Sequence, residues 1–236
     1  MWLSRVTVQN CRIIKQVQLE LTAQANVVYG GNASGKSSLL EALTLLARGR
    51  SFRTPRIAEV LRRGSTELTV SASVEDGIGG SCYPLGINKT LQATRIRINH
   101  TDIAQQAELS SHLPLTLMHP GSVELLTGGP SLRRAFLDWI AFYRFADFHS
   151  VWRNYQRVLQ QRNACLRDPK QRCALVHWTT QLIALQPALH HYRSQALTAL
   201  HAALEISRPL LASTGMPQLG LSSGFPAHVD IAEPEQ

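Results

Sequence analysis

The chain has 236 residues, enough for one large domain or two small ones with a buried core. Its 44% hydrophobic and 17% charged content excludes a disordered polymer, and no apolar run reaches membrane-spanning length. Lysine and arginine outnumber the acids 24 to 16, and the resulting +8 suits an anionic partner, nucleic acid above all.

Residues 1–21 alternate apolar and polar, with Leu3, Val6 and Val8 in one stretch and Val17, Leu19 and Leu21 in the next. Period two predicts a pair of antiparallel strands, with Asn10-Cys11-Arg12 between them. By this pattern alone Arg12 is a solvated turn residue. Residues 25–29 form an apolar, β-branched run that reads as a buried strand. There follow Gly30, Gly31, Asn32, Ala33, Ser34, Gly35, Lys36, Ser37 and Ser38, which fit G-x-x-x-x-G-K-[ST], the P-loop pattern. A helix is predicted over 34–47, stopping near Gly49. The chemistry needs these residue types. Glycines let backbone N–H groups approach phosphate, and the helix N-terminus adds its dipole. Lys36 is placed for the β- and γ-phosphates of ATP, and Ser37 for Mg2+.

Residues 48–56 hold four arginines, one phenylalanine and a proline, and read as a loop. Arg50, Arg53 and Arg56, with Arg62 and Arg63 just beyond, suit contact with a DNA backbone. Residues 67–74, 83–89 and 94–99 alternate again and predict an antiparallel sheet. Residues 113–118 read as one more apolar strand. From Pro130 the period becomes helical, with Leu132, Phe136, Leu137 and Ile140 on one face. Two longer helices are predicted over 146–166 and 174–206, separated by Asp168-Pro169, with Pro187 expected to kink or split the second. Arg133 and Arg134 belong to a basic face of this helical stretch. Trp139, Trp152, Tyr155 and Trp178 read as core residues.

Cys11, Cys82, Cys165 and Cys173 lack metal-ligand spacing and are expected to be reduced, mostly core residues. The start of the chain lacks a secretory h-region, so a cytoplasmic protein is expected. No stretch supplies the acidic strand that normally completes a P-loop ATPase. Asp138 lies in a helical pattern, and Asp230 follows a run interrupted by His228.

Several pieces together resemble RecF, a family of bacterial recombination-repair ATPases related to SMC and ABC-type ATPases. They are Asn10-Cys11-Arg12, the P-loop with Leu40-Glu41-Ala42, and Gly49-Arg50-Ser51-Phe52-Arg53. Gly128-Gly129-Pro130 through Arg133-Arg134-Ala135-Phe136-Leu137-Asp138, and Gln161-Arg162-Asn163-Ala164, follow in the family's order. The resemblance implies an α/β P-loop NTPase of ABC/SMC-head type with an antiparallel β subdomain and an inserted α-helical lid. The division expected is an ATPase lobe over 1–122, a lid over 123–210, and a return to the lobe over 211–236. Also implied are ATP-dependent dimerisation on DNA and recognition of single-strand/duplex gap junctions. Recombinase loading with RecO and RecR, replication maintenance and the SOS response complete the expected role. Arg12 becomes a nucleotide contact by the same resemblance.

The chain departs from the pattern in two ways. Cys11 replaces the usual aromatic of the N-F-R turn. Leu126-Thr127-Gly128-Gly129-Pro130 is similar to the ABC signature, but no acidic strand follows it. A truncated family member is therefore expected, with hydrolysis in doubt. Two other readings stay open: a small-molecule P-loop kinase, and a catalytically inactive DNA-binding fragment.

Overall fold

The period-two start of the chain becomes a hairpin, β1 (Trp2–Cys11) and β2 (Ile14–Glu20). With β3 (Glu67–Glu75), β4 (Cys82–Thr90), β5 (Thr94–Ile98) and β6 (Thr101–Ile103) it builds one six-stranded sheet. The order is β2-β1-β3-β4-β5-β6, antiparallel throughout. Register aligns the apolar positions into rows. Val17, Val8, Val70, Ile87, Ile96 and Ile103 form one row across all six strands. Leu19, Val6, Ala72, Leu85 and Ile98 form the next. Alternation sends Thr7, Ser71, Gly86 and Arg97 to the opposite face. The apolar rows share a core with Leu39, Ala42, Leu45 and Leu46 of helix α1 (Lys36–Arg48). Each buried leucine, isoleucine or valine here contributes roughly 1.5–3 kcal/mol, which fixes α1 over the sheet.

This computed structural model describes all residues except 78–79, 212–214 and 223–236, and all side chains of the remainder except 169–171. The chain divides into two compact units, Met1–Met118 and His119–Gln236. The first holds the sheet, α1 and two short helices, α2 (Ile57–Val60) and α3 (Gln106–His112). The second holds α4 (Glu124–Thr127), α5 (Pro130–Arg144), α6 (Phe148–Arg167) and α7 (Leu175–Ile206). Its core is Leu137, Ala141, Phe148, Leu189 and Ala196, with Trp152 and Tyr155 packed against it as expected. The expected return to the ATPase lobe falls largely on residues outside those described, as does Asp230.

Several expectations need correction. Residues 25–29 are not a strand, and Val27, Val28 and Tyr29 are exposed. Their apolar, β-branched composition favours extension, but a strand forms only by pairing, and no described strand lies alongside. Residues 113–118 are not a strand either. Pro114 removes a ladder donor, and the Leu115 carbonyl accepts instead from Arg48 Nη2 at 2.7 Å. Residues 100–112, unassigned by pattern, contain β6 and α3, and Asn99 falls in the turn before β6 rather than in the expected strand. Asn99 and His100 both have positive φ (46° and 67°), the backbone a two-residue hairpin requires. Pro187 does not split α7, which runs unbroken for 32 residues. Of the cysteines, only Cys11 and Cys165 are buried; Cys82 and Cys173 are exposed, though all four are free thiols.

Candidate nucleotide-binding site

The residues of the glycine loop link β2 to α1 and lie at the surface. Gly35 caps α1 with φ 101°, a conformation L side chains rarely adopt. A Cβ there would point at Ile13 and Ile14, 3.5 Å from each, so the β1–β2 turn abuts the loop. The first α1 bond described outside the helix body runs from Leu39 N–H to the Gly35 carbonyl, and no side chain caps the helix. The amides preceding it are thus the orphan donors of a helix N-terminus, aimed at the loop. Lys36 Nζ donates to the Gly30 carbonyl at 2.8 Å and the Gly31 carbonyl at 2.7 Å. The ammonium is therefore held over the loop rather than extended into solvent. Ser37 is exposed and Ser38 is buried. Gly30 to Gly35 form the loop, and Lys36, Ser37 and Ser38 are the first turn of α1.

Arg12 stands on the turn between β1 and β2. Its φ is 54°, and Asn10 has φ 55°. The turn is stitched down by Arg12 N–H to the Val60 carbonyl (2.8 Å) and Arg62 N–H to the Asn10 carbonyl (2.9 Å). The guanidinium forms a two-pronged ion pair with Glu41 of α1: Nε to Oε2 and Nη2 to Oε1, both 2.9 Å. Glu41 is fully buried, whereas the Arg12 side chain is 25% exposed. The hydrogen bond to Glu41 is the largest influence raising the Arg12 pKa. Ser51 also donates to Glu41 Oε1. Glu41 is thus a functional candidate that pattern reading did not assign. The available signal was an acid set among Leu39, Leu40, Ala42 and Leu43. Cys11, beside Arg12, is fully buried and donates to the Ser38 carbonyl at 3.7 Å. Burial, then the Glu41 charge, push its thiol up to about 12, against a smaller opposing effect of Arg12.

The basic candidates are less concentrated. Arg50, Arg53, Arg56 and Arg63 are exposed and Arg62 is half-buried. Arg56 pairs with Glu59 at 3.5 Å. Arg133 and Arg134 are exposed on α5, in the second unit, and Arg133 Nη1 donates to the Gly128 carbonyl at 2.7 Å. Asp138 is no magnesium ligand here. Its carboxylate accepts from Arg193 Nε (2.7 Å) and Nη2 (2.9 Å) and from Trp152 Nε1 (3.2 Å), tying α5, α6 and α7 together. Among the described residues, no group of three His, Cys, Asp or Glu could hold a metal. Among them, too, no helix is long and apolar enough to cross a membrane.

Residues 5–142 match the family profile described as AAA domain, more than half of the chain. The chain belongs to the AAA domain family. It is 37% identical to the DNA replication and repair protein RecF of Thioalkalivibrio sulfidiphilus over 99% of its own length. It spans 65% of that relative, and so less than two thirds of it. A solved structure of the recombination mediator protein RecF with ATP superposes with a TM-score of 0.80 at 25% identity, over 90% of this chain and 58% of that one. The Smc head domain from Pyrococcus furiosus, solved with the C-terminal domain of ScpA, superposes at 0.50 and 13% identity, over 90% of this chain and 61% of that one. This last likeness concerns the fold alone. The AAA domain chain is a P-loop protein of ABC/SMC-head type, and its resemblance to RecF extends over nearly its whole length.

Proposed function

We propose that this chain binds ATP at residues 30–38 and takes part in DNA repair and replication as an ATP-dependent DNA-binding protein. The observation that carries the reading is the glycine loop itself. Its lysine is held on the loop carbonyls above the open N-terminus of α1. The name of the 37% identical relative supplies the process. In this reading Lys36 contacts the β- and γ-phosphates and the loop amides cradle them. The exposed Ser37 hydroxyl fits Mg2+, a hard cation otherwise held by phosphate oxygens and water. Arg50, Arg53, Arg56, Arg62 and Arg63 meet the DNA backbone, with Arg133 and Arg134 as a separate contact. The resemblance to RecF supports gap junctions as the target, RecR and RecO as partners, an ATP-driven homodimer, and the cytoplasm as location. The proposed division remains a lobe over 1–122 and a helical lid over 123–210.

The proposal is for binding, not turnover. Glu41, the acid nearest the loop in sequence, is committed to Arg12 and Ser51, and Asp138 to Arg193. The test is titration of the purified chain with a fluorescent ATP analogue, with and without gapped duplex DNA. Lys36→Ala is expected to weaken nucleotide binding at least tenfold without lowering the melting temperature, because the hydrogen bonds of the Lys36 ammonium described here go to surface loop carbonyls. Unchanged binding in Lys36→Ala, or phosphoryl transfer to a nucleoside in a pooled-substrate assay, would overturn the reading.

A further inference from the structure

Glu41 lies outside the P-loop motif, yet it is the buried junction between the Arg12 turn and the basic loop around Ser51. A fully buried carboxylate is costly unless its charge is met by donors, and three donors meet this one. Two come from Arg12, on the turn that abuts Gly35 of the nucleotide loop. The third is the Ser51 hydroxyl. Ser51 in turn accepts from Arg53 N–H at 3.0 Å and Thr54 N–H at 3.3 Å. The chain of contacts therefore runs from the nucleotide edge, through one buried acid, to the backbone of the basic loop.

The backbone around Arg12 supports a functional reason for this arrangement. Asn10 and Arg12 both adopt left-handed φ, which asparagine tolerates but which is unfavourable for arginine. Such geometry persists only where surrounding contacts enforce it, and the Glu41 pair is one of those contacts.

We propose that Glu41 is a positioning residue that couples nucleotide binding at the glycine loop to the conformation of the basic loop around Ser51–Thr54. The proposal rests on the nucleotide-binding reading above. A phosphate drawing on the guanidinium of Arg12 weakens its hold on Glu41. Glu41 is fully buried and cannot exchange that donor for bulk water. It then leans harder on Ser51, and the amides of Arg53 and Thr54 move with the hydroxyl. Phosphate occupancy thereby sets the presentation of Arg50 and Arg53.

Amide hydrogen exchange on the whole chain, with and without Mg–ATP, tests this directly. In the unaltered protein ATP is expected to slow exchange in residues 30–37 and to change exchange at Arg53 and Thr54 at least threefold. Ser51→Ala leaves the Arg12–Glu41 pair intact and cuts every link that runs through the hydroxyl, from Glu41 to the amides of Arg53 and Thr54. It is expected to keep the response of residues 30–37 and lose that of 53–54. Glu41→Gln is expected to lose the response of 53–54 as well, and Arg12→Lys to reduce it. If residues 30–37 fail to respond in the unaltered protein, the nucleotide-binding reading fails and the coupling with it. If they respond while 53–54 do not, or if Ser51→Ala keeps the full response of 53–54, the coupling alone is wrong.

Discussion

Cys11 shows how one substitution in a motif is absorbed. The N-F-R pattern offers an aromatic at this position, and here a small thiol fills a fully buried site against α1, donating to Ser38. Free cysteine behaves as a small hydrophobe, and the turn that carries it is bonded to residues 60–62. The four thiols should consequently differ in reactivity. Thiolates react, and burial suppresses both access and ionisation. Iodoacetamide at pH 7.5 is expected to label Cys82 and Cys173 in the folded chain, and Cys11 and Cys165 only after unfolding, as read by peptide mass spectrometry. At Cys82 the hydrogen bond to Glu75 raises the thiol pKa, so its labelling should quicken once that bond is lost on unfolding. The burial of Cys11 makes a pH prediction. Cys11 moves from 9.0 unfolded to about 12 folded. The folded state therefore keeps a proton that the unfolded state releases. The stability is intact below pH 9 and falls between pH 9 and 12, by about 1.4 kcal/mol per unit at the steepest. Cys11→Ala is expected to flatten that alkaline limb in a melting series.

At the scale of elements, α1 is the strut of the first unit, and both of its ends are glycines in left-handed conformation. Gly49 closes it with φ 66°, and its N–H bonds the Leu45 carbonyl. A Cβ at Gly49 would lie 2.8 Å from the Gln106 side chain, on the helix that caps this end of α1 through Ser110 Oγ and the Ala47 carbonyl. Gly49→Ala therefore meets strain and crowding together. It is expected to cost about 1–2 kcal/mol, read as a lower denaturant midpoint with unchanged slope. A cost at the low end of that range would mean that Gln106 swings away and only the backbone strain remains. These contacts also explain what was legible in the chain beforehand. Periodicity located β1 to β5, α1 and α5 to α7, because burial on one face imposes a period on the residues. The glycine loop was legible because phosphate approach dictates residue type. Residues 25–29 and 113–118 carried strand composition without a described partner strand, and pairing cannot be read from one segment. Glu41 was invisible as a site because its role depends on Arg12 and Ser51, 29 and 10 residues away. The aromatic reading of Trp152 succeeded because an indole N–H can be buried once Asp138 accepts from it.

For the whole molecule, the excess of 24 basic over 16 acidic residues becomes meaningful only when assigned to surfaces. The second unit neutralises part of its charge internally, as in the Arg193–Asp138 pair, where both side chains are largely buried. The first unit leaves Arg50, Arg53, Arg56 and Arg63 exposed near one loop system, with Arg62 half-buried beside them. If these five carry the phosphate contacts, each releases a counterion on binding. The logarithm of the association constant should then fall against the logarithm of salt concentration with a slope of about −4 to −5. Arg50→Ala with Arg53→Ala is expected to reduce the steepness by about 2, uniformly across DNA sequences, since phosphate contacts carry no base information. Arg133→Ala with Arg134→Ala should change it less, because Arg133 already donates to the Gly128 carbonyl and must give up that bond to reach a phosphate. The measurement is a salt titration of binding to gapped duplex by fluorescence anisotropy. A slope unmoved by the Arg50 and Arg53 changes but reduced by those at Arg133 and Arg134 would transfer the DNA contact from the basic loop to α5. Glu41 would then couple the nucleotide to a loop with no DNA to hold.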